Sequence, residues 1–167
     1  NITGDANLTI TATVDMANTT SAVPSAIDGT VDASALTGKL NFTLAAADNI
    51  KITGGSANDT INMAGGQNGF DVIDGGDGID TITLNSGFAA TAFAQTTNVE
   101  VTAINAAAAA ITADASKTAG STLVLNLRDA ADNGAKLTST ISKVDGKTVS
   151  LAKTADAADA ANDDGVI

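Results

Sequence analysis

The stretch Gly65–Thr83 reads GGQNGFDVIDGGDGIDTIT, and its glycine doublets, each followed by an Asp and then an Ile, recur about every ten residues. Gly54–Asn62, GGSANDTIN, begins the same pattern one step earlier. Aligned from Gly54, Gly65 and Gly75, each copy gives a glycine pair, a short turn, an Asp, one spacer and an Ile. The middle copy carries one extra residue, Asn68, and the last fits G-G-x-G-x-D-x-U-x at every fixed position. Tandem units of this size mean that each unit covers its neighbour, because one Ile per turn is too thin a core to stand alone. Glycine loses more entropy on folding than any other residue, and close carboxylates repel. Stability therefore has to come from outside the chain.

The flanks read as strand. NLTITATVD alternates Leu8, Ile10, Ala12 and Val14 against Thr and Asn, and KLNFTLA sets Leu40, Phe42 and Leu44 on one face. NIKIT, NVEVTAI, STLVLNL and KLTSTIS follow the same two-residue period. Asp145-Gly146 within SKVDGKTVSL suggests a tight hairpin over 141–151. Short helical segments are expected at 86–96 and 154–163. A longer repeat pairs VDASALTGKLNFTL with ADASKTAGSTLVLNL, aligning Asp32-Ala33-Ser34 with Asp114-Ala115-Ser116 and Gly38 with Gly120. The expected architecture is all-β, a parallel β-solenoid or β-roll. Its parts are N-terminal coils over 1–53, a nonapeptide roll over 54–83 and a continuation over 84–167.

Composition narrows the chemistry. The 167 residues carry a formal net charge of −11, with Glu100 the single Glu and Arg128 the single Arg. No basic stripe is present to meet nucleic acid. Cys, His, Trp and Tyr are absent, which removes disulfides, thiolate metal sites and the usual general base. Oxygen ligands remain, and they suit hard cations, calcium above all. The EF-hand order and its closing Glu are missing from DVIDGGDGID, and no G-K-[ST] marks a phosphate loop. No run is long and apolar enough to span a membrane. The opening NITGDANLTI lacks the basic and apolar regions of a signal peptide, and a start at Asn1 suggests a piece of a longer chain. No catalytic constellation is expected: Arg128 beside Asp129 and Asp132 reads as a surface ion pair, and Lys51 as charge balance for the first repeat.

The three nonapeptides resemble the RTX, or haemolysin-type calcium-binding, family. That resemblance covers residues 54–83. It implies that the glycine half of each unit is a turn, that the second half is a short strand, and that Ile61, Ile73 and Ile82 stack inward. Successive turns then fall on opposite sides, so the turn 54–59 stacks on 75–80, and the turn of Asp71 stacks on non-repeat chain near 49–53 or 85–87. The implied calcium set is Gly54, Gly55, Ala57 and Asp59; Gly65, Gly66, Gly69 and Asp71; Gly75, Gly76, Asp77, Gly78 and Asp80. Ala57, in place of a glycine, and the extra Asn68 depart from the motif. With the Thr/Ala/Asn-rich flanks and the DASALTG-type segments, the chain also resembles bacterial S-layer proteins that carry RTX repeats. This implies type I secretion, folding on extracellular calcium, and homo-oligomeric assembly into a cell-surface lattice or filament, with surface polysaccharide as a further partner. The alternative is the RTX module of a larger secreted adhesin or hydrolase.

Overall fold

A computed structural model describes residues 1–10, 27–44, 49–63, 70–85, 95–105, 112–127 and 140–153. In chain order the strands are β1 (Thr3–Gly4), β2 (Leu8–Ile10), β3 (Gly29–Asp32), β4 (Ala35–Leu36), β5 (Leu40–Thr43), β6 (Ile50–Thr53), β7 (Thr60–Asn62) and β8 (Val72–Asp74). They continue as β9 (Thr81–Asn85), β10 (Thr96–Thr97), β11 (Val101–Asn105), β12 (Thr112–Asp114), β13 (Thr122–Leu127), β14 (Thr140–Ser142) and β15 (Thr148–Lys153). A single 3-10 turn, Ala115–Lys117, is the one helical element among the described residues.

Every strand pairing is parallel. One sheet has seven strands in the order β15-β13-β11-β9-β7-β5-β2, and a second has four in the order β10-β8-β6-β3. Two small pairs, β1-β4 and β12-β14, complete the set. The chain moves from one sheet to the other and back, so each strand lies beside the strand one coil earlier. That is a β-solenoid. Parallel neighbours need a crossover, and here the next coil supplies it.

Alternation sets the inside. One column runs through all seven strands of the larger sheet: Ile10, Phe42, Ile61, Ile82, Thr102, Leu123 and Val149. Phe42, Ile61, Ile82 and Leu123 are buried. Val31, Ile52 and Ile73 form the facing column from the smaller sheet and are also buried. Ile61, Ile73 and Ile82 thus point inward as the repeat implies. Thr102 stands in the apolar column with its hydroxyl donating to the Ala119 carbonyl at 3.0 Å, which satisfies a buried polar group.

Asp145-Gly146 does not make a hairpin. Lys147 N–H donates to the Val144 carbonyl at 2.9 Å in a local turn. The flanking strands then part: β14 pairs with β12 and β15 pairs with β13, both parallel. A two-residue turn favours antiparallel pairing locally, but the preceding coil offers both strands an open parallel edge, and β15 gains a six-residue ladder along β13. Residues 86–94 and 154–163, expected to be helical, lie outside the described residues; Thr96, at the end of the first segment, begins β10.

Candidate metal centre

On one side of the solenoid the chain crosses from β3, β6, β8, β10, β12 and β14 to the larger sheet through a stack of arcs. Their residues are 33–39, 54–59, 75–80, 98–100, 115–121 and 143–147. Backbone bonds hold the arcs in line. Ser56 N–H donates to the Leu36 carbonyl and Asp77 N–H to the Gly55 carbonyl, both at 3.0 Å. Higher up, Ser121 N–H donates to the Glu100 carbonyl at 3.1 Å and Thr148 N–H to the Ser121 carbonyl at 2.8 Å. The turn 54–59 therefore sits directly below 75–80, as the repeat pattern requires. The DASALTG-type segments occupy the same side, above and below the nonapeptide arcs. Asp32 Oδ1 accepts from the Ser34 N–H (3.1 Å) and hydroxyl (2.7 Å), and Asp114 Oδ1 from those of Ser116 (3.0 and 2.6 Å). These bonds hold the Asp32 carboxyl below the usual carboxylate range. Asp114 is pulled down to about 2, first by Lys143, whose ammonium lies 2.6 Å from Oδ2, and then by Ser116.

Glycine is required where these arcs touch. A Cβ on Gly54 would overlap the Gly75 carbonyl oxygen and stand 2.6 Å from Asp59 Oδ2. A Cβ on Gly75 would overlap the Asn98 carbonyl oxygen and stand 2.6 Å from Asp80 Oδ2. The glycines thus let a carbonyl and a carboxylate converge at each level.

The last residue of three successive arcs is acidic, and each carboxylate reaches back one coil. Leu40 N–H donates to Asp59 Oδ1 at 2.8 Å, Asp59 N–H to Asp80 Oδ1 at 2.6 Å, and Asp80 N–H to Glu100 Oε2 at 2.8 Å. Asp59 and Asp80 are each 1% exposed. The second oxygen distinguishes them. Asp59 Oδ2 accepts the Gly55 N–H at 2.8 Å. The equivalent donor one coil up, Gly76 N–H, is taken instead by Asp74 Oδ1 at 3.2 Å, which also accepts from Asn98 Nδ2 at 2.8 Å. Thr53 pairs with Asp74 in the sheet, so the lower level has no carboxylate there to intervene. Asp80 Oδ2 is left buried with no partner. Its carboxyl is pushed up to about 6, by burial first, against the Asp59 N–H bond, and then by the charges of Asp59, Glu100 and Asp74.

The remaining residues of the expected set divide. Asp71 is buried on the opposite side of the solenoid, its Oδ1 accepting the Ile50 N–H at 3.1 Å. Asp71 itself thus lies against Ile50, next to Asn49, and shares no stack with Asp59 and Asp80; residues 64–69 of its turn lie outside the described residues. Asp77 and Gly78 are exposed at the outer edge of the upper arc, and Ala57 lies below Gly78. Gly65, Gly66 and Gly69 fall outside the described residues. Glu100 belongs to the stack but not to the expected set. The signal for it was present: an acid followed by an alternating run, as in Asp59-Thr60-Ile61 and Asp80-Thr81-Ile82. Its arc lacks the glycine pair, which hid the correspondence.

Among the described residues no set of three or more carboxylates gathers around one point. What the arcs offer a hard cation is a buried, unpartnered Asp80 oxygen facing a carbonyl, in a stack of like charges. All donors are oxygen, which fits calcium in kind. No family model, curated protein or solved structure matches the chain. No helix among the described residues is long and apolar enough to cross a membrane.

Proposed function

We propose that the protein is a calcium-stabilised extracellular structural protein that folds on binding calcium and self-assembles at a bacterial cell surface. The observation that carries this reading is the buried, unpartnered Asp80 Oδ2 within the Asp59–Asp80–Glu100 stack. Adjacent coils lie ~4.8 Å apart, and two carboxylates at that spacing repel by roughly 3–4 kcal/mol at an effective dielectric of 20. Asp80 and Asp59, with carbonyl oxygens of the glycine arcs, are the groups that would hold the ion. Bound calcium would supply the positive charge that turns this repulsion into attraction. The chain's own part is to bring the oxygens to one level, which the glycine pairs do, and to exclude competing water, which burial does. Since the stack forms only when the coils align, binding is coupled to folding. Extracellular sites work at ~10⁻⁴–10⁻³ M calcium, far above cytosolic levels, so the arcs stay loose inside the cell and set outside it.

The test is a calcium titration followed by far-UV circular dichroism and light scattering, with EDTA reversal and a magnesium control. β signal and particle size are expected to rise together with calcium and fall with EDTA. A rise in β signal alone removes the assembly claim and favours a calcium-binding module of a larger secreted protein. No change in either refutes the calcium reading.

A further inference from the structure

The inner column of the seven-stranded sheet is covered in its middle and open at one end. Phe42, Ile61, Ile82, Thr102 and Leu123 are all at or below 1% exposure, whereas Val149, next in the same column, is 38% exposed. Leu151 repeats this: it is 49% exposed where its partner Leu125 is buried. These are core positions on an end coil. At the other end, Leu8 and Ile10 of β2 pack against the core but stay partly open. Among the described residues no strand pairs with the outer edge of β2 or of β15.

We infer that β15 of one copy pairs with β2 of the next, extending the seven-stranded sheet from molecule to molecule. The inference rests on the self-assembly reading and specifies its contact. The occupant is a second copy for three reasons. First, all strands of the sheet run the same way, so β2 of a translated copy meets β15 in the parallel sense the sheet already uses. Second, the register carries over. Thr9, Asn41, Thr60, Thr81, Val101, Thr122 and Thr148 form one continuous column, and Ile10 to Val149 form the next. Setting Thr9 of one copy beside Thr148 of another places Ile10 over Val149 and closes the apolar column. Third, the meeting coils differ in charge. Residues 1–38 hold Asp5, Asp15, Asp28 and Asp32 and no Lys or Arg, while 140–153 hold Lys143, Lys147 and Lys153 against Asp145. The contact is head-to-tail. Such a contact does not close on itself unless the rotation returns to the start, so it generates a filament.

Cysteine pairing tests this on a background without native cysteine. Within one molecule Thr9 and Thr148 are six strand spacings apart, roughly 29 Å, beyond any disulfide. Across the proposed junction they are neighbours within disulfide range. The 167-residue chain carrying Thr9→Cys and Thr148→Cys is oxidised under calcium and under EDTA, then run on a non-reducing gel with each single variant beside it. The expected result is a ladder of multimers for the double variant and monomer for both singles. Dimers from a single variant would show like ends meeting and overturn the inference. Monomer throughout overturns it too, including the case in which residues 154–167 of the same chain cover β15. Light scattering and circular dichroism on the same samples separate the two claims. Particle growth without the ladder leaves assembly standing on another surface, and a ladder that ignores calcium leaves the junction standing while the calcium reading fails.

Discussion

Replacing Asp80 by Asn separates the two roles of that carboxylate, because it keeps the cap and removes the charge. Asn Oδ1 can still accept the Asp59 N–H, and the new amide takes the place of the unpartnered Oδ2, facing the Asn98 carbonyl across Gly75. The magnitude follows from the carboxyl's displacement from 3.8 to about 6. At ~1.4 kcal/mol per unit the shift bounds the cost of ionised Asp80 at about 3 kcal/mol, and solvent at the outer face of the arc lowers the expected value to about 1–2 kcal/mol. In EDTA at pH 7.5, Asp80→Asn should therefore unfold at higher urea than the parent, by that amount. In calcium the order should reverse. A ligand at about one hundred times its dissociation constant stabilises by ~2.7 kcal/mol, and the variant forgoes that gain.

The pH dependence has a defined sign. A carboxyl raised in the folded state favours folding when protonated, so its contribution is complete below 3.8 and is lost as pH rises through about 6. The calcium-free parent should gain stability as pH falls from 7 toward 4. Below that, the lowered carboxyls of Asp32 and Asp114 protonate and stability falls again. Asp80→Asn should flatten the upper limb and leave the lower one. Urea melts at several pH values, with and without calcium, read all of this. A variant that loses stability equally in EDTA and in calcium would refute the account of Asp80 as a strained, cation-seeking group.

Asp74→Thr copies the lower level, where Thr53 stands. Gly76 N–H should then cap Asp80 Oδ2, which flattens the upper limb of the pH profile and weakens the calcium response in the same titration. Gly75→Ala drives a Cβ into the Asn98 carbonyl and should cost about 3 kcal/mol in a urea melt, the upper end of typical overpacking changes. Gly146→Ala meets nothing within 4 Å and carries only the strain of its φ of +74°, so about 1 kcal/mol is expected.

The nonapeptide period made the centre of the fold legible. It sets one inward Ile per half-turn and puts 54–59 under 75–80, and the structure has both. Among the described residues the alternating flanks likewise form strands. Local signals failed where pairing was decided at a distance. Asp145-Gly146 looks like a hairpin turn from its neighbours alone, yet β14 and β15 find their partners a full coil back. Within the site, the stacked aspartates were readable because glycine pairs announce them. The diversion of Gly76 N–H to Asp74 was not, since Asp74 sits at the end of a strand and its side chain acts on the arc that follows. Glu100 was hidden for a related reason. Its arc, 98–100, is short and turns through Asn98 at a φ of 50° rather than through a glycine pair. The extra methylene of Glu then reaches the Asp80 N–H.

Capping alone does not account for three carboxylates in a row. The chain has a neutral way to bond one coil to the next and uses it one residue earlier in these arcs, where Asn7 Oδ1 accepts the Lys39 N–H at 2.9 Å and Asn58 Oδ1 the Ile79 N–H at 3.0 Å. Asn at the acidic positions would bond the coils without mutual repulsion. Charge at Asp80 therefore opposes the fold in water, and under the calcium proposal the cation offsets it. The combined variant Asp59→Asn, Asp80→Asn and Glu100→Gln isolates this difference. It should show full β signal in EDTA and no further gain on adding calcium, while the parent gains β signal with the ion. If the neutral stack still requires calcium to fold, the cation is held elsewhere, and the carboxylates of this side are structural caps and nothing more.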